Sequence, residues 1–141
     1  MPLTVTFDCN DPHAQARFWA TVLDYQVDDL HDLVTSVIEA GHLPADSDDI
    51  VEVDGRRTWR DYASASPKDA ADENRLLFQR VAEPKTAKNR VHLDVRAPEG
   101  QRDAKVAQLI ELGATKLWDG QQGPISWVTL ADPEGNELCI S

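Results

Sequence analysis

The 141-residue sequence predicts an α+β fold of two tandem βαβββ modules, with an acidic helical insertion in the first module. The main observation is a repeat. A strand-like alternation followed by a helical pattern occurs twice, and each pair precedes three short strand-like segments. The length supports a single domain, because about 100–200 residues form one compact core. The first module covers residues 1–82, with the insertion at 28–50, and the second covers 90–141.

The first strand and the first helix are predicted from local patterns. Apolar and polar residues alternate over residues 3–8, which is the pattern of a strand with one buried face. Asp11 then provides a helix cap, and Pro12 suits the first helical position. An apolar stripe continues to Leu23, so the sequence predicts a helix over 12–23.

The rest of the first module is predicted from apolar runs and turn residues. Residues 29–40 carry a helical apolar stripe with acidic residues on the other face, and Gly41 ends this helix. Asp54 and Gly55 predict a two-residue hairpin turn. The remaining elements are hairpin strands at 50–53 and 57–62, a polar loop at 63–73 and a strand at 76–81.

The second module repeats this order of elements in a shorter form. A strand at 91–95 places His92 and Asp94 on its polar face. A helix follows, with apolar residues from Val106 to Leu112, and ends at Gly113. Three short strands are predicted at 115–118, 125–130 and 137–140.

Composition and charge exclude several classes of protein. The net charge of −11 repels phosphate backbones and anionic lipids, so we expect no nucleic-acid or membrane partner. The sequence has no apolar run long enough to span a membrane and no targeting segment, which predicts a cytoplasmic protein. Residues 28–54 hold nine acids and no base. This run predicts a solvated surface segment or, alternatively, a docking surface for a basic partner.

Several short motifs occur in a specific order along the chain. They are Phe18-Trp19, Leu23-Asp24-Tyr25, Leu77 to Val81, Lys88 to Asp94, and Asp132 to Asn136. Their order resembles the vicinal oxygen chelate (VOC) superfamily, and within it the glyoxalase-like subgroup related to bleomycin-resistance proteins. The resemblance implies that the two modules pair curved mixed sheets into a cleft, with the helices on the outside.

The resemblance also implies a metal site that this sequence has largely lost. In metal-using relatives, the cleft holds a His from the first strand and a Glu from the last strand of each module. The corresponding residues here are Thr4 or Thr6, Gln79, His92 and Cys139. Hydroxyl and amide oxygens offset little of a cation's charge, so no cofactor is expected, and His92 and Cys139 are weak metal ligands. The alternative is a weakly bound divalent metal: Zn, Ni, Mn or Fe.

The resemblance and these residues predict a protein that binds a small apolar or aromatic molecule between its modules, by sequestration and without metal. The predicted ligand-binding residues are Trp59, Trp127, Thr4, Thr6, Cys139 and Arg57. The alternative is a glyoxalase-type lyase or isomerase, or a dioxygenase-like enzyme, acting on a vicinal dioxygen substrate. His92 and Gln79 would then be its catalytic residues. The resemblance further implies a homodimer.

Each of these residues also has a purely structural interpretation. His92 is equally explained as a hydrogen-bonded structural histidine, and Cys139 as a small apolar filler. Core packing explains Trp59 and Trp127 as well as ligand binding does. Arg57 is explained by neutralisation of the acidic segment.

Overall fold

The computed structural model describes residues 1–141 and contains three helices and ten strands. The helices are α1 (Pro12–Leu23), α2 (His31–Glu39) and α3 (Arg102–Glu111). The strands are β1 (Thr4–Cys9), β2 (Gln26–Val27), β3 (Ile50–Val53), β4 (Arg56–Trp59), β5 (Tyr62–Ser66), β6 (Arg75–Arg80), β7 (Leu93–Val95), β8 (Thr115–Gln122), β9 (Ile125–Ala131) and β10 (Glu137–Ile140). None of the helices is both long and apolar enough to cross a membrane.

Two four-stranded mixed sheets share one topology. The first sheet has the order β1-β6-β5-β2, in which β1 and β6 are parallel and the other neighbours are antiparallel. The second has the order β7-β10-β9-β8 with the same pattern of directions. Thus β1, α1, β2, β5 and β6 correspond in order to β7, α3, β8, β9 and β10. This correspondence confirms the predicted α+β fold with two βαβββ modules.

The predicted hairpin forms, but it is not part of the first sheet. Asp54 and Gly55 have φ values of 50° and 74°, which suit a two-residue hairpin turn of this twist. β3 and β4 pair only with each other, and α2 packs against β4. The prediction that this hairpin supplies two strands of the module was therefore wrong. Along the chain, residues 28–61, which include the hairpin, form an insertion between β2 and β5.

The strand β5, which the sequence did not predict, lies between β6 and β2 in the first sheet. The predicted polar loop at 63–73 is therefore wrong over its first four residues. Ala63 and Ala65 are buried in the core, while the hydroxyl groups of Ser64 and Ser66 both donate to the Asp28 carboxylate. Such small, partly polar side chains give a weak strand signal. Pairing with β6 and the contact from Asp28 supply the stabilisation that the local sequence lacks.

Helix α1 has the predicted boundaries because its signals are local. The Asp11 carboxylate accepts hydrogen bonds from the backbone N–H groups of His13 and Ala14, at 3.1 and 3.0 Å. Pro12 lies at the start of the helix, where its missing N–H costs nothing.

Helices α2 and α3 have narrower buried stripes than predicted. Val34 is the buried residue of α2, and Val106 and Leu109 are those of α3. Leu33 and Ile110 belong to the apolar stripes predicted over 29–40 and from Val106 to Leu112, but they are 54% and 43% exposed. α3 packs against α1 and β10 and buries two side chains, whereas α2 packs against β4 of the hairpin and buries only Val34, outside the main core cluster.

Both modules contribute to one hydrophobic core of 17 buried residues. Phe7 of β1 packs against Trp19 of α1 and Phe78 of β6, with ring centroids 4.7 and 5.4 Å apart. Leu109 of α3 and Leu138 of β10 belong to the same cluster and are fully buried. Burial of large side chains from both modules in one cluster stabilises their association.

The turn between β9 and β10 joins the second module to the first. The indole Nε1 of Trp19 donates to Oδ2 of Asp132 at 3.0 Å, and both residues are buried. Asp132 is held in place by Asn136, whose Nδ2 and backbone N also donate to it. The Glu134 carboxylate accepts hydrogen bonds from the backbone N–H groups of Asn10 and Asp11. The motif from Asp132 to Asn136 therefore fixes how the modules meet.

Candidate functional site

Each four-stranded sheet packs one face against the core and leaves an opposite face, here called the open face. In β1, Val5, Phe7 and Cys9 point to the core, so Thr4, Thr6 and Asp8 lie on the open face. Across the strand pairs, the same face of the first sheet continues with Leu77, Gln79 and Tyr62. The open face of the second sheet carries Asp94, Cys139, Thr129, Trp127, Trp118 and Gly120, with His92 directly before β7.

The parallel strand pairs define which residues of the two modules correspond. Asp8 pairs with Gln79 in the first module, and Asp94 pairs with Cys139 in the second. The next hydrogen bonds also match, because Val81 N donates to Cys9 O and Ser141 N donates to Val95 O. Two residues before each aspartate lie Thr6 in the first module and His92 in the second, so these two residues occupy equivalent positions of the repeat. Thr4, the other residue considered from the sequence, lies two residues before Thr6 on the same face of β1.

The two modules meet at a cavity of about 260 Å³. Thr6 and Asp8 of β1 line it from the first module, and His92 and Glu137 line it from the second. The fold thus brings Thr6 and His92 to one cavity. Gln79 and Cys139 lie one strand further from it, on the open faces.

His92, Asp94 and Cys139 form a cluster on the second sheet. The His92 Nε2 atom is 3.2 Å from Asp94 Oδ1, and one ligand atom from each of the three residues lies within 4.8 Å of the others. Nitrogen, oxygen and sulfur donors of this kind suit a transition metal such as zinc. Sequence reasoning placed Asp94 on the same strand face as His92 but did not select it as a site residue. That shared face was the signal that could have identified it.

The thiol of Cys139 is held in its neutral form. Burial raises its pKa above the ordinary value of 9.0, and the neighbouring Asp94 carboxylate raises it further. The Thr129 hydroxyl, whose Oγ1 lies 3.5 Å from Sγ, opposes part of this rise. A thiol with a raised pKa is a poor nucleophile near neutral pH. As a metal ligand it would have to lose its proton when the metal binds.

The first module provides no comparable cluster. At the corresponding positions it has Thr6, Asp8 and Gln79, of which only Asp8 is charged. A metal at this site would therefore be held by the second module alone, through His92, Asp94 and Cys139.

Two tryptophans lie on the open face of the second sheet. Trp127 of β9 pairs with Gly120 of β8, and its indole occupies the space where a side chain of residue 120 would lie. Trp118 pairs with Thr129 on the same face and is 49% exposed. Trp118 was not selected from the sequence as a ligand-binding candidate, because its face depends on the register between β8 and β9.

Two predicted ligand-binding residues lie away from this face. Trp59 is in the separate hairpin, where it lines a cavity with Asp49, Asp61 and Tyr62. Arg57 lines a different cavity between the hairpin and α1. The structure therefore does not bring Trp59 and Arg57 together with His92.

The segment that links the modules is fastened beside His92. The Glu137 carboxylate lies 3.3 Å from Lys85 Nζ and 3.8 Å from Lys88 Nζ, and it accepts a hydrogen bond from Asn89 N at 3.1 Å. Burial raises the pKa of Glu137, but the Asn89 N–H and the Lys85 ammonium outweigh it, so the pKa lies below its ordinary value of 4.5. Glu137 is therefore an ionised anchor for the linker.

The model of one protein family, described as a glyoxalase-like domain, matches residues 4–141. The chain belongs to this glyoxalase-like family of the VOC superfamily. The resemblance seen in the sequence motifs is thereby confirmed. No curated protein matches this glyoxalase-like chain in sequence.

Solved structures share the fold of this glyoxalase-like chain at low identity. The fosfomycin resistance protein FosX from Mesorhizobium loti has a TM-score of 0.62 at 11% identity, over 99% of this chain and 89% of that one. A glyoxalase/bleomycin resistance protein/dioxygenase family enzyme from Burkholderia phytofirmans PsJN has a TM-score of 0.61 at 16% identity, over 97% and 94%. The bleomycin-binding protein from Streptomyces verticillus, solved with copper(II)-bleomycin, has a TM-score of 0.54 at 15% identity, over 100% and 94%.

Proposed function

We propose that this glyoxalase-like protein binds a small molecule with an apolar or aromatic part on its open face, between the two modules and without a metal. The observation that carries the proposal is the position of Trp118 and Trp127 on the same sheet face as Thr129 and Cys139. A half-exposed indole on a sheet face offers a flat apolar surface for stacking.

Polar groups elsewhere on the open faces and at the cavity between the modules would supply hydrogen bonds that orient a ligand. His92 and Thr6 line the cavity between the modules, and both are exposed. Gln79 adds an amide from the first sheet. This combination of an apolar surface and a few polar groups is typical of small-molecule sites. The bleomycin-binding protein, which shares the fold, is a precedent for binding a small molecule.

Fluorescence titration with a panel of small aromatic compounds, combined with Trp118→Ala, tests the proposal. We expect saturable quenching in the native protein and a roughly tenfold weaker affinity in the variant, because the stacking surface is lost. Leu33→Ala is the control, since this exposed apolar side chain lies on α2 and belongs to neither open face. Equal losses in the two variants, or no saturable binding by any compound, would contradict the proposal.

A second candidate function is a glyoxalase-type lyase or isomerase, or a dioxygenase-like enzyme, that uses a divalent metal. The cluster of His92, Asp94 and Cys139 favours it, since three donors leave positions open for the two adjacent oxygens of a substrate. A metal bound there would polarise those oxygens as a Lewis acid. The thiol selects zinc over manganese or magnesium.

Metal analysis of the purified protein, followed by zinc titration, separates the two functions. One zinc ion per chain, with loss of that zinc in His92→Ala and in Cys139→Ser, would support the metal-dependent enzyme. Protein that takes up no zinc yet binds an aromatic compound supports metal-independent binding. Asp119→Asn is a suitable control, because this exposed carboxylate pairs with Lys116 on β8 and is outside the cluster.

A homodimer is part of the proposal. β8 is the edge strand of the second sheet and is eight residues long, and both Leu117 of β8 and Ile125 of the neighbouring β9 are exposed. An edge of this length favours pairing with another strand. Light scattering coupled to size-exclusion chromatography measures the mass, and a mass of one chain at all concentrations would contradict a dimer.

A further inference from the structure

A second cavity lies between the inserted segment and α1, and it shares no lining residue with the cavity between the modules. Its volume is about 350 Å³, within the range of small-molecule sites. We call it the insertion cavity. It is lined by Arg17 of α1, Asp28 and Leu30 after β2, and Asp54, Arg57 and Thr58 of the hairpin.

The insertion cavity has charged groups of both signs that lack partners. At its wall, Arg56 and Asp29 neutralise each other at 2.6 Å. Arg17 and Arg57 have no carboxylate within 4.0 Å, and Asp28 and Asp54 have no basic group within that distance. The lining therefore presents two unpaired cations and two unpaired anions.

Arg57 is the most informative of these groups because it is half-buried. Its backbone N–H donates to Nδ1 of His31 at 3.0 Å, which fixes the position of the residue. The guanidinium itself makes one long contact, 3.5 Å from Nη1 to Oγ1 of Thr35. Most of its five N–H groups thus have no protein acceptor, and a partly desolvated cation in this state is costly unless an anion joins it.

The unpaired carboxylates lie on the same cavity. Asp28 is half-buried and accepts hydrogen bonds from Ser64 and Ser66, but these hydroxyls leave its charge unneutralised. Asp54 is in the hairpin turn. Apolar lining comes from Val27 and Leu30 beside them.

We propose that the insertion cavity binds a small zwitterion with a carboxylate, an ammonium group and an apolar side chain, which is the chemistry of a free α-amino acid. Arg57 and Arg17 bind the carboxylate, for which a guanidinium provides paired donors. Asp28 and Asp54 bind the ammonium group. The site is independent of the function proposed for the open face, since the two share no residue.

Isothermal titration calorimetry with leucine and two analogues tests the charge requirement. N-acetylleucine lacks the ammonium charge, and leucinamide lacks the carboxylate. We expect leucine to bind and each analogue to bind roughly tenfold more weakly, because each loses one set of charge-assisted hydrogen bonds. Absence of leucine binding at millimolar concentration, or equal binding of leucine and N-acetylleucine, would overturn the proposal.

Two variants test the assigned residues. Arg57→Gln keeps a polar side chain and the backbone N–H that donates to His31, and it should weaken leucine binding roughly tenfold. The same variant should leave leucinamide unchanged, because leucinamide has no carboxylate. Arg75→Gln removes an exposed guanidinium of β6 outside the cavity and serves as the control. Unchanged leucine binding in Arg57→Gln, or an equal loss in Arg75→Gln, would show that the assignment is wrong.

Discussion

Asp94 lies directly opposite Cys139 in the parallel register of β7 and β10, so a carboxylate and a thiol share the open face of the second module. The first module has Asp8 opposite Gln79 at the corresponding positions. The duplicated backbone therefore repeats the aspartate but not its partner. This asymmetry leaves the cluster of candidate metal ligands, His92, Asp94 and Cys139, in the second module alone.

The first prediction concerns the reactivity of Cys139. Because burial and the Asp94 carboxylate raise the pKa of this thiol, alkylation by iodoacetamide should be slow at pH 7 and should increase as the pH rises beyond about 9. Asp94→Asn removes one cause of the rise and should speed alkylation severalfold at about pH 8. The second thiol is a useful internal control, because burial raises the pKa of Cys9 to about 12. Faster alkylation of Cys9 than of Cys139 would contradict this prediction.

The second prediction concerns the contact between modules. Trp19→Phe keeps an aromatic ring in the core but removes the hydrogen bond from Nε1 to Asp132. Because the Asp132 carboxylate is buried, the loss should lower the free energy of unfolding by about 2 kcal/mol. Urea denaturation measures it. Trp59→Phe, in the hairpin, should change stability by less, and the opposite order would contradict the assigned role of Trp19.

The third prediction concerns the pH dependence of the linker contact. The folded pKa of Glu137 lies below its ordinary 4.5, so its ionised form stabilises the folded state. This contribution is complete above about pH 4.5 and is lost as the pH falls through the lower folded pKa. Glu137→Gln should therefore flatten the pH dependence of stability in this acidic range. Thermal unfolding from about pH 3 to pH 6 measures this dependence. If the unfolding temperature changes equally with pH in the native protein and in Glu137→Gln, Glu137 does not anchor the linker through its charge.

The fourth prediction concerns the packing of Trp127 on Gly120. A side-chain carbon at residue 120 would overlap the indole, so Gly120→Ala should destabilise the protein by about 1–3 kcal/mol. The same substitution in a Trp127→Ala background should cost less, because the overlapping ring is absent. A double-mutant cycle by urea denaturation gives the coupling energy. Simple additivity of the two substitutions would show that the ring does not occupy this position.

The sequence by itself determined the elements whose signals are local. Helix α1 has its predicted boundaries because Asp11, Pro12 and the apolar stripe all lie within it or directly before it. Strand β10 has its predicted boundaries, and the hairpin turn at Asp54 and Gly55 forms where predicted. The family motifs, read in order, identified the fold and the duplication.

Only the tertiary structure decided which residues share a surface. Strand β5 required pairing with β6, since its serines and alanines carry little strand preference of their own. The face of Trp118, the match between Thr6 and His92, and the pairing of Asp94 with Cys139 depend on register between separate strands. A shift of one residue in such a register moves every side chain to the other face. Local patterns do not encode that register, so the site could be assembled only from the folded chain.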